Sequence, residues 1–318
     1  MGNTVNFPER LDISPSIVPK ELETSSGDTQ TMGMIFGSVA QRKAIENYGI
    51  AGRVWEAAYA LCLYVQPPPN LEFDPPFARR TPIRSRRTFL ELGAGTGIVS
   101  SRIAEILGSG WDTLIVTDLP EVCPLLENNV RHFQEAEHPN NVFVRPLAWG
   151  NKEHIILIAS ELLSMTGPNN PTTMSYIICS DLVYFPELFA PLLRTLLELT
   201  SPPFSLPTAD DEAVTIFISY RIRSLSKETA FWTTFGLWFN YEPVLVRDRA
   251  LGLHWQRFGS SLDETTFVFT ARRRLISFSW EIPLNDDDLL LGRGARGNQA
   301  AKEDDTFEML LLTNLSDI

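Results

Sequence analysis

The residues richest in possible chemistry stand in one stretch, TFLELGAGTGIVS at 88–100, where Glu91 precedes Gly93, Gly95 and Gly97. Glycines let the backbone adopt conformations closed to other residues and let a ligand approach closely. The apolar run before them reads as a strand and the run after them as a helix, whose first N–H groups then point at the ligand. The spacing is G-x-G-x-G. A dinucleotide fingerprint, G-x-G-x-x-G, needs a glycine where Ile98 stands. Glu91, two residues ahead of the first glycine, fits a site for S-adenosylmethionine (SAM) better than one for a pyrophosphate.

Two further acids fall at strand ends. Asp118 closes TLIVTD, the next apolar strand. Ligands of parallel α/β sheets sit at the carboxyl ends of strands, and a carboxylate there can accept both ribose hydroxyls of an adenosine. It can equally cap a helix opening at Leu119–Pro120; the glycine turn one unit upstream favours the ribose. Asp181 and Tyr184, in DLVY, follow the strand YIICS. A carboxylate can hold and orient a lysine ammonium, and an aromatic face can help to desolvate it. The competing reading is a cap for a helix near Pro186, with Tyr184 as packing. Trp55 and Trp149 are of a type found most often in cores, although an indole beside the crevice can cover an adenine. The histidines 132, 138, 154 and 254 and the cysteines 62, 123 and 179 have no metal-ligand spacing, so no metal is expected.

These groups need a scaffold, and the hydrophobic pattern supplies one. Residues 53–65 read as a helix. Strands are expected at 88–92, 113–117, 141–145, 176–179, 213–220, 242–246 and 265–271, with helices at 97–107, 120–134, 186–199 and 224–239. Alternating strands and helices predict an α/β, Rossmann-like, seven-stranded and mostly parallel sheet with an antiparallel closure. Five prolines within 66–76 argue for an exposed connector over 66–87. The domain plan is an N-terminal extension at 1–50, the α/β domain at 51–274 and a flexible acidic tail at 275–318. That tail has nine acidic and three basic residues, so it carries −6 of the chain's −12. Its run at 309–315 is the part able to dock back.

The chain has 318 residues and 27 basic against 39 acidic side chains, a balance unsuited to phosphate contacts, so no nucleic acid is expected. Scattered cysteines, no signal peptide and no long apolar run point to a cytoplasmic protein without a membrane span.

Several pieces together resemble the seven-strand protein-lysine methyltransferases, of the methyltransferase-like 21 and elongation factor lysine methyltransferase type. They are GRVWEAAYALCLYV, FLELGAGTGIVS, LIVTDLPEVCPLLENNV, the LAWG turn and SDLVYFPELFAPLLRTLLEL, spanning about 52–200, and ISYRIR at 218–223 is similar to the family's fifth strand. The resemblance implies a class I SAM-dependent methyltransferase fold and a monomer. It implies SAM contacts at Trp55, Gly93, Ala94, Gly95, Asp118, Trp149 and Ser180, and an acceptor motif, D-x-x-Y, at Asp181 and Tyr184. It also implies a lysine on a protein as substrate, elongation factor 1-alpha first and a chaperone second. The alternatives are another acceptor (protein arginine, histidine or a small molecule) and a SAM-binding scaffold without turnover; an intact D-x-x-Y motif speaks against the scaffold.

Overall fold

A computed structural model of the chain describes residues 13–19, 22, 29–78, 86–108, 112–137, 141–166, 174–205, 213–252, 254–259 and 266–312. Its strands are β1 (Leu71–Asp74), β2 (Thr88–Leu92), β3 (Thr113–Asp118), β4 (Val142–Pro146), β5 (Tyr176–Ser180), β6 (Thr215–Arg221), β7 (Phe239–Pro243), β8 (Leu245–Asp248), β9 (Gln256–Arg257) and β10 (Thr266–Arg273). The main sheet has seven strands in the order β4-β3-β2-β5-β6-β10-β7. Its first five are mutually parallel, and β10 runs against both β6 and β7. Continuous apolar runs such as LIV and YIIC suit strands covered on both faces. Alternate residues of each strand feed opposite cores. Leu90, Ile115, Ile177 and Ile218 enter one; Phe89, Val116, Ile178 and Phe217 enter the other.

The helices are α1 (Thr29–Phe36), α2 (Ser38–Tyr48), α3 (Glu56–Val65), α4 (Ile98–Ile106), α5 (Cys123–Glu137), α6 (Lys152–Thr166), α7 (Phe189–Leu199), α8 (Leu225–Trp238), α9 (Asp286–Leu290) and α10 (Thr306–Leu312). Buried side chains of α3, α4 and α5 join the Phe89 core, and those of α6, α7 and α8 join the Leu90 core. The expected strand at 242–246 divides into β7 and β8. Helix α6 carries no signal of its own in the sequence reading, because Ile156 and Leu157 are exposed and blur its apolar face. No helix among the described residues is long and apolar enough to cross a membrane.

Two expectations, for the connector and the tail, are revised. The connector at 66–87 contains β1, which pairs antiparallel with β8 in a second, three-stranded sheet. Phe73 on β1 is buried and lies edge-on to Tyr64 and Phe258; prolines bar an inner strand of a large sheet but not this short edge strand. The connector's arginine-rich part at 79–85, the loop at 206–212 and His138 lie outside the described residues.

The N-terminal extension holds α1 and α2 through a buried amide in place of an apolar stripe. Gln41 Nε2 donates to the carbonyls of Phe36 and Ser16, and its Oε1 accepts from the N–H groups of Ser16 and Val54.

Over 275–312 the tail packs on the body of the domain. Leu289, Ala295 and Phe307 are buried in the Leu90 core, and Leu310 and Leu311 pack against it. Its acids have partners: Asp286 pairs with Arg194 at 2.6 Å, Asp288 with Arg293 at 3.0 Å and Asp304 with Arg274 at 3.5 Å. Asn285 caps α9 by accepting from Asp288 N–H. Residues 313–315 of the 309–315 run, and 316–318 after it, lie outside the described residues.

Candidate active site

Because β2, β3 and β5 are neighbours running the same way, their carboxyl ends present Gly93, Asp118 and Asp181 on one edge of the sheet. The glycine turn between β2 and α4 is tight on both sides. Gly93 has φ +56°, and a Cβ there would stand 2.9 Å from Leu182 and 3.0 Å from Trp149. Gly95 has φ +55°, and its Cβ would meet the Ala51 carbonyl at 3.0 Å. Any side chain would therefore clash as well as strain the backbone. Ala94 N–H donates to the Thr117 carbonyl at 2.9 Å and Thr117 Oγ1 donates to the Glu91 carbonyl at 2.7 Å, which fastens the turn to β3.

Asp118 completes that fastening. Its Oδ2 accepts from Gly95 N–H at 2.7 Å and its Oδ1 from Leu119 N–H at 2.7 Å. It does not cap α5, which starts only at Cys123. A carboxylate has about four acceptor positions, so hydroxyl donors can still be received. Burial pushes its pKa up to about 6, against the two N–H donors that pull it down.

Glu91 departs from the expected cofactor contact. Its side chain is 1% exposed and accepts a short hydrogen bond from Ser100 Oγ of α4. The acid thus lies beneath the turn and braces the helix start. Burial pushes its pKa up to about 8, with the Ser100 hydrogen bond opposing and the Asp118 charge adding to the rise. The unfolded chain releases this proton near pH 4.5 and the folded chain only near 8, so stability falls as pH rises through that window. Glu91→Gln should therefore gain on wild type between pH 5 and pH 9, by at least about 3 °C in Tm. A Tm difference that stays flat over this range would show that the carboxyl is ionised in the fold.

Trp149 sits on a turn with its own supports. Ala148 N–H donates to His154 Nδ1 at 3.1 Å, and Gly150 N–H donates to Thr195 Oγ1 at 2.8 Å. The indole touches the Gly93 position and lies edge-on to Tyr184, with centroids 6.5 Å apart. Burial, then the charges of Asp118 and Asp181, push the Tyr184 phenol well above its ordinary range. The contact with Trp149, which meets the Gly93 position, links the turn to the D-x-x-Y motif.

Asp181 is the surprise of the site. It has φ +62°, a left-handed conformation that aspartate tolerates better than most residues. Its N–H donates to the Ser219 carbonyl at 2.8 Å. It does not cap a helix. Its carboxylate takes both Nη groups of Arg223, at 2.8 Å for Nη1–Oδ1 and closer for Nη2–Oδ2. The Arg223 guanidinium also lies 5.2 Å from the centre of the Trp55 indole, and Arg53 lies 4.3 Å from it. Trp55 Nε1 donates to the Ile50 carbonyl at 3.1 Å. Arg53 pairs with Glu56 at 2.5 Å, and Glu56 reaches Arg221 at 3.4 Å. Sequence reasoning missed Arg53, Glu56 and Arg223; the only signal was the alternating basic pair in ISYRIR.

The cofactor of this fold class is SAM, and the residues present fit it. The glycine turn lies at the carboxyl edge of the sheet beside Asp118, Asp118 offers acceptors for ribose hydroxyls, and Ser180 Oγ is buried without a hydrogen-bond partner among the described residues. Buried hydroxyls are rarely left so. Its register partner Ser219 shares that condition.

A parallel sheet with one reversed strand, a glycine turn after β2 and an acid closing β3 define a class I SAM-dependent methyltransferase fold. The chain belongs to the lysine methyltransferase family, whose model matches residues 39–234. It is 30% identical over 153 residues to the protein N-lysine methyltransferase METTL21A of Xenopus tropicalis, covering 48% of this chain and 57% of that protein. It is 28% identical over 167 residues to the protein-lysine N-methyltransferase EFM6 of Saccharomyces cerevisiae, covering 50% and 63%. It is 28% identical over 195 residues to EEF1A lysine methyltransferase 3 of Xenopus tropicalis, covering 60% and 73%. The chain thus spans less than two thirds of the first two relatives.

Proposed function

We propose that the protein transfers a methyl group from SAM to a lysine side chain of another protein, and that the acceptor is elongation factor 1-alpha. SAM, when bound, supplies an electrophilic methyl on sulfur. The lysine nitrogen forms the new N–C bond as the S–C bond breaks, the electron pair stays on sulfur, and a proton leaves the nitrogen to solvent. Trp55, Gly93, Ala94, Gly95, Asp118, Trp149 and Ser180 hold the cofactor, Glu91 braces the turn from below, and Asp181 and Tyr184 form the acceptor end. Catalysis on this reading is mainly positioning.

The observation that supports the reading best is the shared edge of the sheet: the neighbouring parallel strands β3, β2 and β5 end at Asp118, the glycine turn and Asp181, and Tyr184 lies edge-on to Trp149, which meets the Gly93 position. The elongation factor is favoured because one relative's name specifies EEF1A. Cys62, Cys123 and Cys179 are free and buried, which suits a reducing, cytoplasmic setting.

The test is transfer of labelled methyl from SAM to recombinant elongation factor 1-alpha and, in parallel, to a cell lysate, with the modified residue identified by mass spectrometry. A labelled lysine on the factor is expected. Label on another protein's lysine would overturn the substrate, and label on arginine or histidine the chemistry. Asp118→Ala should weaken SAM by ~2 kcal/mol in calorimetry, because the ribose hydroxyls lose their acceptor. Unchanged affinity would reduce Asp118 to a fastener of the glycine turn.

A further inference from the structure

The D-x-x-Y acid suggests a carboxylate waiting for an ammonium, but the Asp181 side chain has no exposed surface and Arg223 occupies both its oxygens. The main-chain N–H of Arg221 approaches Oδ1 as well, at 3.4 Å. Arg223 is itself held in place. Its N–H donates to Glu228 Oε2 at 3.2 Å, and the same oxygen accepts from Tyr220 Oη at 2.6 Å, while Glu228 Oε1 accepts from Ser224 N–H at 3.0 Å. Its Nη1 also donates to the Arg221 carbonyl at 3.1 Å. A guanidinium with this many fixed contacts is part of the wall.

The charged groups around it come from every element packed there. Asp181 and Tyr184 follow β5, Arg221 ends β6, Glu228 lies on α8, and Arg53 and Glu56 flank Trp55 at the start of α3. The charges of Asp118 and Glu187 add to the rise in the pKa of the Tyr184 phenol. Glu56 is shared by Arg53 and Arg221, and Glu228 is engaged by N–H and phenol donors. Among the described residues, Asp181 is the fully buried carboxylate of the D-x-x-Y motif, and it is already paired.

That pairing matters because an ammonium has no lone pair and cannot take a methyl group. An uncompensated buried carboxylate would favour the ammonium form of a neighbouring amine, whereas cations nearby favour the neutral form. Resting on the lysine-acceptor reading above, we propose that Arg223 is a positioning residue that neutralises Asp181, so that the crevice accepts the lysine side chain as a neutral amine. Asp181 then acts through the guanidinium, which with Trp55 and Tyr184 shapes the amine's seat.

The test uses n-butylamine as a probe of the lysine side chain and needs no methyl transfer. The full chain, saturated with S-adenosylhomocysteine, is titrated at pH 7, 8 and 9 while the Trp55 indole N–H resonance is followed. In wild type the apparent affinity should rise about tenfold per pH unit, in step with the fraction of neutral amine. Arg223→Gln frees the Asp181 carboxylate, so it should bind the ammonium at least about tenfold more tightly than wild type at pH 7 and show little pH dependence. Arg223→Lys keeps the cation and should keep the wild-type slope, which also controls for folding. The proposal is overturned by a pH-independent wild type, by an Arg223→Gln variant that follows the wild-type slope, or by no amine binding at any of these pH values. Correct slopes without any methylated protein would instead reject the lysine-transfer reading and leave the amine seat standing.

Discussion

Phe307→Ala should cost about 3–5 kcal/mol of folding stability, the usual range for emptying an aromatic site in a core. Phe307 lies on α10, is 1% exposed and stacks on Trp232 at 5.0 Å with 12° between the rings. It also meets Tyr220 and Phe269 edge-on. Those partners belong to α8, β6 and β10, so the residue closes the Leu90 core between one helix and two strands of the sheet. Gly236 on α8 is where the segment comes closest, since a Cβ there would stand 2.2 Å from Asp304 Oδ1. Ending the chain at Arg274 removes Phe307, Leu289 and Ala295 together. Such a chain is expected to lose its cooperative unfolding transition, and SAM binding with it. Urea denaturation followed by circular dichroism tests both variants. A truncated chain that unfolds at the same midpoint as the full one would show that 275–318 is an accessory after all.

Asp181→Ala should leave SAM affinity within about twofold and slow single-turnover methyl transfer at least about tenfold, or ~1.4 kcal/mol of transition-state stabilisation. On the proposed reading most of the cofactor's contacts come from the glycine turn and Asp118, whose hydrogen bonds run to Thr117, Gly95 and Leu119. The acceptor end depends on Asp181: without the carboxylate, Arg223 stands as a part-buried, unpaired cation facing the amine's path. Asp181→Asn preserves the shape and separates charge from packing. Tyr184→Phe should have the smaller effect, because the ring stays and only a hydroxyl is lost. Affinity and turnover are to be measured on the same preparations. Retained turnover in both Asp181→Ala and Tyr184→Phe would remove the motif from the acceptor site. A matched loss of SAM binding would move it to the cofactor pocket.

Most of the sheet could be read directly from the chain. Strands β2, β3, β5 and β6 are predominantly apolar runs between turn residues, a pattern that burial on both faces favours. The glycine spacing and the acids at strand ends were legible for the same reason: a parallel sheet sends every such end to one edge. Elements held by other means were not. Helices α1 and α2 depend on the Gln41 amide, β1 on a partner about 175 residues away in sequence, and the C-terminal segment on arginines of distant elements.

By itself, then, the sequence determined most strands of the main sheet, the turn that must be glycine and the residues able to do chemistry, since these follow from local periodicity and from the conformations a residue type allows. Only the tertiary structure decided what each acid does. Glu91 went beneath the turn to Ser100, Asp118 to Gly95, and Asp181 to an arginine 42 residues along the chain. The reason is that a carboxylate's role is set by the donors that replace water around it once it is buried. Those donors are brought by neighbouring strands, whose adjacency in space is not written in the spacing of residues along one segment.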